Sequence, residues 1–133
     1  MAFVLPDCGE VLALTRFLTA ENSKLKLFTN DYTPIESSVL ASFTEATAVG
    51  YSDITLTGTV SGSTWAISTA IGVTTATYPE QTFTLTAAEN VYGYYITNNA
   101  EDTLILAERF PTAPYAIPVA GGTIAVTVNI SAS

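Results

Sequence analysis

From Tyr51 onward, apolar and hydroxyl-bearing positions alternate with a period of two. In residues 53–60, Ile54, Leu56, Gly58 and Val60 share one side, and Thr55, Thr57 and Thr59 the other. Trp65 and Ile67 oppose Thr64, Ala66 and Ser68; Phe83, Leu85 and Ala87 oppose Thr82, Thr84 and Thr86. Ile124, Val126, Val128 and Ile130 oppose Thr123, Thr127 and Asn129. Successive side chains of a strand point to opposite faces, so each run predicts a strand with one dry face in an antiparallel sheet. Residues 91–97 and 103–110 are apolar on both sides and predict central strands covered above and below. Residues 98–102, Asn-Asn-Ala-Glu-Asp, carry the chemistry of a hairpin turn between them.

The front of the chain follows a different pattern. Cys8, Val11, Leu12, Leu14 and Leu18 recur at roughly helical spacing, with Arg16 toward the other side. Asp7 followed by Glu10 reads as a capping box. A helix this short must pack on something to persist. Residues 24–30 predict a first strand, and residues 31–50 a long irregular connection of the kind that is usually functional or wrapped around a partner.

These elements predict a mainly β fold with one N-terminal α-helix. The β part is an antiparallel β-sandwich or small barrel of six to eight strands. The chain reads as one domain. An N-terminal arm, the helix and the first strand occupy residues 1–30, the long loop 31–50, and the sandwich 51–133.

Composition narrows the function. The chain has 133 residues, 48% of them hydrophobic and only 12% charged. Thr and Ser supply most of the polarity, and a Thr-rich, charge-poor surface invites a partner to cover it. Twelve acidic residues face four basic ones, Arg16, Lys24, Lys26 and Arg109, for a net charge of -8. A phosphate-binding surface needs clustered Lys and Arg, so nucleic acid is not an expected partner. Anionic membranes are disfavoured by the same charge, and no stretch is long and apolar enough to span a bilayer. Residues 1–10 lack the basic start and apolar centre of a signal peptide, which points to synthesis and assembly in a cytoplasm.

Candidate chemistry is sparse. The sequence contains no histidine, which removes the commonest general base and metal ligand. Cys8 is the only cysteine and is expected to be a buried, inert thiol. Carboxylates that could pair for glycoside hydrolysis are Glu108, Glu101 with Asp102, and Glu45 or Asp53. Glu101 and Asp102 read more simply as solvated turn residues, and Glu108 as a strand-end charge or an interface salt bridge. Asn30-Asp31 is a weak approach to a calcium loop. The expectation is no catalytic residue, no cofactor and no metal. Tyrosine is the remaining signal: Tyr92 and Tyr94 read as core aromatics, and Tyr32 and Tyr115, beside prolines in loops, as interface residues.

Several stretches taken together resemble a known class of protein. LPDCGEVLAL, LKLFTNDYTP, TEATAVGY, YPEQTFTLTAAENVYGYYIT, LILAERF and GGTIAVTVNI, in this order, are similar to small virion proteins of tailed bacteriophages. The resemblance implies a structural role, either as a capsid decoration (cement) protein or as a small tail-associated protein, with no catalytic residues. The leading expectation is a protein that binds the outer shell, and so the major capsid protein or another virion protein, as a homodimer or homotrimer. The alternative is a tail or fibre component, including a receptor- or glycan-binding module. The expected location is the virion, assembled in the host cytoplasm. The expected partner contacts are Phe3, Val4 and Leu5 in the arm, Tyr32 and Pro34 in the long loop, and Tyr115.

Overall fold

The computed structural model describes residues 6–58 and 64–132. The order of elements is α1 (Asp7–Thr19), β1 (Ser23–Phe28), a short 3-10 turn (Leu40–Ser42), β2 (Ile54–Leu56), β3 (Ala66–Ala70), β4 (Val73–Thr77), β5 (Gln81–Leu85), β6 (Glu89–Val91), β7 (Gly93–Asn98), β8 (Leu104–Arg109), β9 (Tyr115–Ile117), β10 (Gly122–Val126) and β11 (Asn129–Ala132). The mainly β, antiparallel class with one N-terminal helix is therefore present. The sheets are open, and among the described residues none closes into a barrel. The eleven strands described exceed the expected six to eight. Breaks at Tyr92, between β6 and β7, and at Thr127 and Val128, between β10 and β11, divide runs that read as continuous.

The chain forms two compact units that interleave in sequence. The first comprises Met1–Asn22, Leu56–Glu80 and Val126–Ser133. Here α1 packs on β3 and β4 of a sheet ordered β11-β4-β3. Leu18, Trp65, Ala76, Tyr78 and Val128 are buried, and Trp65 meets Tyr78 edge to face at 5.1 Å. The helix departs from its expected form. Pro6, extended at φ -65 and ψ 159, stands at the N-cap with no side-chain cap, and its carbonyl accepts from the N–H groups of Gly9 and Glu10. No capping box forms at Asp7. Glu10 is instead buried and accepts a bond from Thr74 Oγ1 at 3.0 Å. The buried helix residues are Glu10, Leu18 and Thr19, whereas Leu12, Phe17 and Cys8 are exposed. The expected buried thiol is thus corrected: Cys8 sits in the first turn, which the sheet does not cover.

The second unit comprises Ser23–Thr55 and Gln81–Ala125. Its main sheet is ordered β2-β1-β7-β8, joined by the pairs β10-β5 and β6-β9. β5 and β10 keep the alternation read from the sequence: Phe83, Leu85 and Ile124 are buried, and Thr82, Thr84 and Thr123 exposed. β7 is a central strand with Gly93 to Thr97 all buried, as expected. β8 is not central. It lies at the end of the sheet order and is half-buried, because an apolar run on both sides also suits an edge strand that a loop covers in part. The second central strand is β1, whose sequence KLKLF looks amphipathic.

Register defines the two faces of this sheet. Lys26 pairs with Tyr95, which pairs with Ala107; Leu27 pairs with Tyr94, which pairs with Glu108. Lys26, Phe28 and Tyr95 therefore share one face, and Leu25, Leu27, Tyr94 and Glu108 the other. The long loop covers the first face. Phe43 enters the cluster of Phe28 and Tyr95, stacking on Tyr95 at 5.0 Å. Gly93 is required where β7 passes Phe28, since a Cβ would collide with the Glu108 carbonyl oxygen and the Phe28 ring.

Candidate partner-binding surfaces

The charged cluster that could have carried chemistry is consumed internally. Lys26 is 7% exposed, and its ammonium lies 3.2 Å from Glu45, 3.4 Å from Asp53 and 2.5 Å from Glu101. The Tyr51 hydroxyl donates to Glu45 at 3.0 Å and accepts from the Leu27 N–H. Burial alone would lower the lysine's proton affinity. The bonds from Glu101 and Glu45 outweigh it and hold Lys26 above its ordinary range. Glu101 is held below its ordinary range, first by its bond to Lys26. Tyr95 is pushed up to about 12 by burial and then by the nearby Glu45 carboxylate. Three of the acids considered for hydrolysis thus converge, but on a lysine that fills the space between them. Glu108 is not with them: it lies on the opposite face, accepting from the Tyr94 hydroxyl at 2.7 Å. Among the described residues, no group of three or more His, Cys, Asp or Glu is arranged to hold a metal ion.

The Asn30-Asp31 pair is also occupied. Asn30 bonds the Ser42 carbonyl and the Thr44 N–H, and Asp31 takes Arg109 at 2.7 Å. Arg109 lies over the Tyr92 ring and donates to the Tyr32 carbonyl, fastening the start of the loop to the end of β8.

The loop then runs beside the outer edge of β8 and leaves two adjoining grooves. One, of ≈ 550 Å³, is bordered by Pro34, Ile35 and Glu36 on the loop and Leu104 to Ala107 on the strand. The other, of ≈ 400 Å³, lies between residues 38–41 and Asp102, Thr103 and Leu104. Ile35 and Val39 are more than half exposed. The β7–β8 turn at one end is rigid: Asn98 Oδ1 accepts from the N–H groups of Asp102 and Thr103, and Glu101 takes a left-handed φ of 60 to reach Lys26.

The first unit offers a different feature, the tip of the β3–β4 hairpin. Ile71 (φ 52) and Gly72 (φ 72) form a two-residue turn with both residues left-handed. Asn or Asp is the usual occupant of the first position. Here a β-branched residue takes it, and Ile71 is 101% exposed.

The residues expected at an interface fall in different settings. Pro34 borders the larger β8 groove. Tyr115, on β9, is 47% exposed and lines a cavity of ≈ 200 Å³ with Phe110, Pro111 and Ile124. Tyr32 is half-buried as an internal strut, edge-on to Phe43 at 5.4 Å with its hydroxyl bonded to Ser38 at 2.7 Å. Phe3, Val4 and Leu5 lie outside the described residues. Sequence reasoning missed Ile71, whose signal was an isoleucine directly before Gly72.

Among the described residues, no helix is long and apolar enough to cross a membrane. No protein-family model, curated protein or solved structure matches the chain.

Proposed function

We propose that this chain is a small structural protein of a tailed-bacteriophage virion, specifically a capsid decoration protein that binds the outer shell as a homo-oligomer and stabilises it. The observation that carries this reading is the hairpin tip at Ile71. A β-branched side chain in left-handed backbone is strained. Its full exposure leaves an apolar side chain in water. Both costs have a purpose if the side chain is buried in another protein. Tyr115 and Val119 add further exposed apolar contacts. The resemblance of the sequence to phage virion proteins supplies the kind of partner, the major capsid protein or another virion protein. Many copies on one particle share the load, so modest affinity per copy suffices.

The reading is tested by mixing the purified protein with undecorated shells. Co-sedimentation and a higher shell melting temperature are expected, both weakened by Ile71→Ser. Free shells that neither retain the protein nor gain stability reject it. Immunogold label confined to the tail would move the protein from shell to tail.

A further inference from the structure

We propose that the outer edge of β8 takes up a short extended segment of a partner protein as an added strand, and that this segment is apolar at alternate positions with Lys or Arg at its ends. The site is separate from the Ile71 tip, so either can fail without the other.

Three observations carry the proposal. First, β8 ends its sheet, and from Leu104 to Ala107 it carries neither charge nor proline. An edge left in this way presents N–H and C=O groups to any extended chain. The irregularity in the β7–β8 register leaves Ile105 without a partner on β7, so the regular edge runs over Leu106 to Arg109 and fits a short segment. Second, the loop stands off from this edge rather than sealing it. The ≈ 550 Å³ groove has strand on one side and Pro34 and Ile35 on the other, which suits alternate apolar side chains. Third, the charge around the grooves has one sign. Glu36 borders one groove and Asp102 the other. Among the described residues, no Lys or Arg lines either groove. Arg109 at the strand's end is already paired with Asp31. Charge complementarity therefore selects a basic-flanked segment. A second copy is a poor source: three of the chain's four basic residues are engaged at Thr55, the Lys26 cluster and Asp31, and the net charge of -8 repels a like molecule.

The test is an amide-resolved NMR titration at neutral pH with two acetylated, amidated peptides, KVTVTVK and EVTVTVE. Shifts confined to Leu104–Arg109 and residues 35–41 are expected with KVTVTVK, with binding about tenfold weaker for EVTVTVE. Glu36→Lys should narrow or reverse that preference. Leu106→Lys, which puts a charge on the regular edge itself, should abolish binding while the remaining amide spectrum stays that of the folded protein. The absence of these shifts with KVTVTVK, or equal binding of both peptides, overturns the proposal. So does the same set of amides shifting with protein concentration alone, which would make a second copy the occupant.

Discussion

Lys26 is the residue on which the second unit is most sensitive to charge. Three carboxylates converge on it, and each keeps between 30% and 44% of its side chain open to water. Removing the ammonium leaves like charges facing one another above the Phe28–Phe43–Tyr95 cluster. Breaking a fully buried pair costs about 3–5 kcal/mol. The exposed acids reduce this, so Lys26→Met should destabilise by about 2–3 kcal/mol, read from urea unfolding. The same cluster fixes the pH dependence. Glu101 and Asp102 are held below their ordinary range, Glu101 by Lys26 and Asp102 by Asn98 and Thr103. Their stabilisation is complete above the unfolded carboxyl value of about 4 and is lost as pH falls toward the folded values. On the alkaline side, Lys26 and Tyr95 have raised folded values, so their contribution is complete below about pH 10 and is lost as pH rises further. Burial also pushes Tyr51 and Tyr94 up, in the same sense. A plot of urea midpoint against pH should be flat between about 5 and 10 and fall on both sides. In Lys26→Met the acid limb should be shallower, because Glu101 then titrates near its unfolded value. An unchanged acid limb would separate Glu101 from the cluster. Ile71 gives the opposite kind of residue-scale prediction: Ile71→Asn places a residue suited to the turn and should raise stability by about 1 kcal/mol, seen as a higher melting temperature, while weakening shell binding.

At the scale of elements, the legible parts were those in which one physical rule acted alone. β5 and β10 could be read because Thr and aliphatic residues alternate where one face is dry. The Asn98–Asp102 turn could be read because its side chains close it locally. Where tertiary pairing overrode the local pattern, the sequence misled. A lysine in KLKLF points to solvent by every local rule, and only residues 19, 27 and 75 positions away make its burial possible. The capping signal at Asp7 and Glu10 lost to a partner on β4. The β8 edge looked central because periodicity reports apolar faces, not hydrogen-bonding neighbours. The long loop was recognised as a loop, but not as a covering layer. That role rests on Phe43, which touches both Phe28 and Tyr95. Phe43→Ala should cost about 3–4 kcal/mol and release the loop from β1. Hydrogen exchange would report this as lost protection at Thr29 and Ala46, whose N–H groups bond across the loop and β1. Retained protection at both would show that the loop's hydrogen bonds hold it without the aromatic anchor.

For the whole molecule, charge and surface chemistry act in opposite directions. A net charge of -8 on a chain with a pI near 4.1 keeps copies apart at neutral pH. Exposed apolar side chains at Ile71, Val119 and Tyr115 favour contact with other surfaces. Screening weakens the repulsion between copies without weakening apolar contact, because the Debye length falls to about 3 Å at molar salt. Self-association should therefore strengthen as salt rises. Sedimentation equilibrium should show the weight-average mass of the protein increasing between about 0.05 and 1 M salt. Capture of a basic-flanked strand at β8 should weaken over the same range, since attraction between unlike charges is screened by the same ions. The two trends have opposite signs, so one salt series separates the surfaces. If self-association also weakened with salt, copies would be meeting through charge pairs, and the apolar tips would not be the surfaces that bring them together.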